Sequence, residues 1–93
     1  MAFGQYLRRL REEKGVTLTE VARKVEVSIA YLSRIERDRE NPPPDRLLMS
    51  IARTLGVPAD DLFGAARRLP PDLQVHTEQV IAAYRRQSAG GAR

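Results

Sequence analysis

Thr17-Leu18-Thr19-Glu20-Val21-Ala22-Arg23-Lys24-Val25, then Glu26-Val27-Ser28, then Ile29-Ala30-Tyr31-Leu32-Ser33-Arg34-Ile35 is the stretch that decides the fold. Val21, Ala22 and Val25 fall on one side of a 3.6-residue period, and so do Leu32 and Ile35, which makes each flank a helix with an inward face. Thr17 followed three residues later by Glu20 is a capping box. Ser28 caps the second helix in the same manner. A connection of three residues, Glu26 to Ser28, forces the two helices to cross steeply. Their backbones then approach closely where they meet, and the small Ala22 suits that contact. The pattern is helix-turn-helix geometry, which holds the second helix by its inner face and leaves its outer face free to enter a groove of duplex DNA.

The chain on either side completes an all-α reading. Phe3, Leu7 and Leu10 predict a first helix from about Phe3 to Lys14, closed by Gly15. The third helix ends near Arg37 and Asp38, because Asn41-Pro42-Pro43-Pro44 cannot continue it. Leu47, Leu48, Ile51, Ala52 and Leu55 predict a fourth helix from about Asp45 to Leu55, stopped by Gly56. A short fifth helix is expected over residues 57–63, where Asp60 and Asp61 suit the positive end of its dipole. Leu69-Pro70-Pro71 marks a break, after which Asp72 is expected to cap a sixth helix running to about Gln87. Residues 1–64 thus read as the domain, 65–71 as a linker, 72–87 as a C-terminal helix and 88–93 as a disordered tail.

Leu7, Arg11, Gly15, Thr17, Val21, Ala22, Val27, Ser28, Leu32, Ser33, Ile35, Glu36, Arg37, Asn41, Pro42, Leu47, Ile51, Ala52, Leu55, Gly56, Leu62 and Phe63, taken together, resemble the Xre family, the phage lambda repressor and Cro-like DNA-binding domains. The resemblance runs from Phe3 to Gly64. It implies a compact five-helix domain with a helix-turn-helix, here followed by a C-terminal helix, that binds operator DNA as a homodimer. By position it carries base contact onto Ile29, Ala30, Ser33 and Arg34, which the helical period also places on the outer side with Arg37. Arg34 suits guanine O6 and N7, and Ile29 and Ala30 suit thymine methyls. Ile29 also admits a plainer reading as a core or dimer contact.

Contacts to the DNA backbone are expected from the amides near Thr17 and Ser28, from the Tyr31 hydroxyl, and from Arg37, Arg39 and Asn41. Against this, Arg37 and Arg39 alternate with Glu36, Asp38 and Glu40, so the segment also reads as a solvated loop whose charge cancels. Arg11 and Glu36 match a pair that joins the first helix to the end of the third in the family. The chain departs from the family at three positions. Leu18 stands where many members carry glutamine, and Asp38 replaces the usual glycine after the third helix. Glu26 occupies a turn position often held by glycine, so either it is left-handed at a cost of roughly 1 to 2 kcal/mol or the turn is reshaped.

Composition narrows the function classes. Ninety-three residues support one domain with a small core. With no cysteine there is neither a disulfide framework nor a thiolate metal site, and the lone histidine, His76, reads as a packing residue because a metal needs further ligands. The chain has no apolar run near the roughly 18 residues of a membrane span and no basic-then-apolar leader, so a cytoplasmic protein is expected. It offers no glycine-rich phosphate loop and no nucleophile set, so neither an enzyme nor a cofactor is expected. Lys and Arg number 16 against 12 Asp and Glu, a net +4. Residues 1–64 hold 11 and 10 of these, so net charge permits a polyanion partner without demanding one. Of the 16, 14 are Arg, which suits phosphate or guanine but also follows from a GC-rich genome.

Two functions fit. One is a transcriptional regulator, a repressor that occupies an inverted-repeat operator with half-sites about 34 Å apart or a multiple of that. The other is an antitoxin or adaptor in which residues 65–93 hold a protein partner and DNA binding serves autoregulation. Leu73, His76, Val80 and Tyr84 share one stripe, with Ile81 beside it, which suits either packing back onto the domain or dimerisation through Leu73, Val80, Ile81 and Tyr84, although the fifth helix is an equal candidate for that interface.

Overall fold

The computed structural model describes residues 1–68, 70–74, 82, 83, 85 and 86. The chain forms α1 (Phe3–Glu13), α2 (Leu18–Lys24), α3 (Ile29–Glu36), α4 (Asp45–Leu55), α5 (Ala59–Ala65) and α6 (Pro71–Gln74). No strand occurs among the described residues. Helix α3 packs against α1 and α2, α4 lies against α2 and α5, and α5 returns to α1. One core results, drawn from Phe3 and Leu7, Val21 and Ala22, Leu32 and Ile35, Leu48, Ile51, Ala52 and Leu55, and Leu62 and Phe63. Each large side chain buried there contributes about 1.5 to 3 kcal/mol, which holds α3 firmly by one face.

A single device ends all five core helices. After each, one residue turns left-handed, and the next amide bonds back five positions: Val16 to Arg11 O, Val27 to Ala22 O, Arg39 to Arg34 O, Val57 to Ala52 O and Arg68 to Phe63 O. These are Schellman closures. Glycine fills the left-handed position after α1 and α4, while Glu26, Asp38 and Arg67 fill it after α2, α3 and α5, with φ of 60, 59 and 59°. The turn between α2 and α3 is therefore not reshaped around Glu26. It keeps the left-handed geometry and carries the strain.

Some boundaries differ from the sequence expectation. Helix α1 stops at Glu13, with Lys14 as its cap. Helix α5 begins at Ala59 rather than residue 57, because Val57 is taken up in the closure of α4 and Pro58 becomes the cap. It runs on to Ala65, one residue past the expected end of the domain. Arg68 then ties that end to the start of α4. Its guanidinium donates to the Pro43 carbonyl, Nη1 stands 3.2 Å from Asp45 Oδ1, and the group lies 5.9 Å from the centre of the Phe63 ring. Helix α6 starts at Pro71, a position where the missing N–H costs nothing, so Asp72 sits inside the first turn instead of capping it. No helix among the described residues is long and apolar enough to cross a membrane.

Candidate nucleic-acid interface

Local chemistry sets the ends of both helices of the motif. The Thr17 hydroxyl accepts from the Glu20 amide at 3.1 Å, and the Ser28 hydroxyl accepts from the Tyr31 amide at 3.0 Å. The amides of Leu18 and Thr19, and of Ile29 and Ala30, precede the intrahelical ladder and keep their donors for another acceptor. Thr17 and Ser28 are both exposed.

Helix α3 is anchored by Leu32 and Ile35, each fully buried. Its opposite side carries Ile29, 48% exposed, with Ala30 exposed and Ser33 and Tyr31 half-buried. An isoleucine that open is no part of this chain's own core. Arg34 is not a free side chain on that surface. Its Nε stands 3.2 Å from Glu40 Oε1, and its guanidinium carbon lies 6.0 Å from the centre of the Tyr31 ring. Arg37 Nε donates to the Ser33 carbonyl at 3.4 Å. Arg37, Arg39 and Asn41 are all exposed.

The three acids that appear to cancel these arginines are turned to other tasks. Glu36 is 6% exposed and faces inward. Its Oε2 and Oε1 accept from Arg11 Nε at 2.7 Å and Nη2 at 3.0 Å, while Arg11 Nη1 donates to the Val16 carbonyl at 2.9 Å. Arg11 therefore joins α1, the loop after it and the end of α3 through one planar group. Its hydrogen bond to Glu36 raises the Arg11 pKa, against burial, which lowers it. Asp38 Oδ1 accepts from the Gly4 amide at 2.7 Å, a donor in the first turn of α1 that Ala2 has no side chain to satisfy. Glu40 pairs with Arg34. The expected charge cancellation therefore loses Glu36, which is buried against Arg11, whereas Asp38 and Glu40 stay exposed with Arg37 and Arg39, their carboxylates bonded to the Gly4 amide and to Arg34.

Sequence spacing missed Glu40 because it stands six residues after Arg34, outside any helical period. The available signal was Asp38, a left-handed residue that folds the chain back over the last turn of α3. Leu73 stands in α6, while Val80, Ile81 and Tyr84, with His76, lie outside the described residues. Among the described residues no cluster of three His, Asp or Glu that could hold a metal ion occurs.

The helix-turn-helix domain family model matches residues 2–63. This chain belongs to that family. Among relatives of this chain is the HTH-type transcriptional regulator DdrOP3 of Deinococcus deserti, 40% identical over 63 residues that cover 68% of this chain and 48% of the relative. SinR of Bacillus subtilis, also an HTH-type transcriptional regulator, is 33% identical over 75 residues, covering 81% and 68%. The crystal structure of SinR, the master regulator for biofilm formation, in complex with DNA superposes with a TM-score of 0.61 at 36% identity, covering 66% of this chain and 97% of that one. The helix-turn-helix chain spans about half the length of DdrOP3.

Proposed function

We propose that this chain is a sequence-specific DNA-binding repressor, with α3 lying in the major groove of an inverted-repeat operator that two copies occupy as a homodimer. The observation that carries the reading is Ile29, 48% exposed beside Ala30 and Arg34 on the side of α3 opposite the buried Leu32 and Ile35. A large apolar side chain left open at a helix start, next to an arginine, suits a thymine methyl and a neighbouring guanine. Family membership supports the same reading, and so does the outward charge of Arg37 and Arg39 beyond α3. Thr17, Ser28, Tyr31, Arg37, Arg39 and Asn41 serve the phosphates, which position the domain without reading sequence. Repression follows from occupancy, since a bound dimer blocks polymerase.

Selection from random duplexes followed by footprinting tests this. The expected result is an enriched palindrome protected on one face, in two patches about one helical turn apart or a multiple of it. Enrichment of no sequence, or protection of a single asymmetric site, would overturn the reading or its dimeric part respectively.

A further inference from the structure

We infer that Glu40 is a specificity-determining residue, one that denies Arg34 to phosphate oxygens and reserves it for an acceptor pair presented on a base edge. The inference rests on the base-reading role proposed for Arg34.

The geometry behind it is a chain of dependencies. The Gly4 amide holds the Asp38 carboxylate at 2.7 Å, and Asp38 takes the left-handed conformation. The Arg39 amide then bonds back to the Arg34 carbonyl at 2.8 Å. That closure reverses the chain and sets Glu40 beside the last turn of α3. Its carboxylate takes the Nε edge of Arg34, while the Tyr31 ring lies against the guanidinium. The outer pair, Nη1 and Nη2, is left in the fork arrangement that matches guanine O6 and N7.

A phosphate would have to compete with a carboxylate already in place. Non-specific binding draws on such phosphate contacts, so an arginine neutralised by its own chain contributes little to it. A guanine edge is neutral and meets the fork without displacing Glu40. The ion pair is solvent-exposed, with side-chain exposures of 44% and 40%, and adds little to folding stability. Its effect falls on discrimination.

The test compares binding of the full chain to its selected duplex and to a scrambled duplex, by fluorescence anisotropy across a salt series. Glu40→Ala should tighten binding to the scrambled duplex about tenfold, a size set by the discrimination one bidentate pair supplies, and steepen its salt slope by about one unit. Affinity for the selected duplex should change much less, so the ratio falls. In an Arg34→Ala background the same substitution should leave the ratio unchanged. Glu13→Gln removes an exposed charge on α1 and controls for net charge. Should Glu40→Ala shift both duplexes equally, or act alike with and without Arg34, Glu40 is an ordinary surface charge and the inference fails while base reading stands. Should the unaltered chain not distinguish the two duplexes, base reading itself fails and takes this inference with it.

Discussion

Asp38 caps a helix 34 residues away: its carboxylate accepts from the Gly4 amide and joins the start of α1 to the end of α3. The contact requires that residue 4 have no side chain. A β-carbon there would strike the Ile35 carbonyl oxygen and stand 2.6 Å from Asp38 Oδ1. The Ile35 carbonyl belongs to a helix locked by the core and has nowhere to go. Gly4→Ala should therefore destabilise the fold by about 1 to 3 kcal/mol, as overpacking does, although alanine is the better helix former. Urea unfolding measures it, and a gain in stability would show that α1 slides to make room.

Arg11 and Glu36 form a largely buried pair, and loss of one member of such a pair costs more than loss of both. Arg11→Ala should cost about 3 to 5 kcal/mol, because it strands a buried carboxylate and the Val16 carbonyl together. Arg11→Met with Glu36→Leu should cost clearly less than the single change. The pH dependence follows from the raised Arg11 pKa. A group raised in the folded state contributes stability that is complete below its unfolded pKa and lost only as pH climbs through the folded one. For an arginine that window lies well above neutrality. The difference in unfolding free energy between the wild type and Arg11→Ala should hold constant from about pH 7 to 9, and a difference that shrinks there would assign it to another group.

The helices themselves were legible because their signals are local. Thr17 and Ser28 cap as written, Gly15 and Gly56 terminate as written, and Leu32 and Ile35 bury the face their spacing gives them. What escaped depends on residues brought together by folding. Arg34 with Glu40, Asp38 with Gly4, and Arg68 with Pro43 and Asp45 are contacts between positions that no helical period relates. The start of α5 was misplaced because Val57 belongs to the terminator of α4, an arrangement visible only once its amide is seen bonded to Ala52. Glu36 looked neutralising beside Arg37 because a sequence does not show that its carboxylate is buried against Arg11.

Glu26 holds a left-handed backbone at φ 60° with a Cβ that glycine would lack. The conformation costs roughly 1 to 2 kcal/mol in an L-residue, and glycine repays part of that through the greater freedom of its unfolded chain. Glu26→Gly should raise stability by about 1 kcal/mol, a shift of roughly 4 to 8 °C in Tm for a domain of this size. Glu26→Val should lower it, since a β-branched residue resists positive φ more strongly. Calorimetry on both variants decides the sign, and equal Tm values would mean that the turn relaxes at no cost.

Arg34 lies in α3 and Arg39 beyond its end, and their substitutions should separate reading from gripping. Arg34→Ala should lose about 1 to 3 kcal/mol on the selected duplex and relax the preference at one base pair. An equal loss on scrambled DNA would reassign that side chain to phosphate. Arg39 is exposed beyond the left-handed Asp38, with Glu36 buried against Arg11 and the Asp38 carboxylate engaged by the Gly4 amide. Arg39→Ala should weaken every duplex alike and flatten the dependence of log affinity on log salt by about one unit. A slope that does not move would place Arg39 away from the backbone, leaving Arg37 and the first-turn amides of α2 and α3 to hold the phosphates.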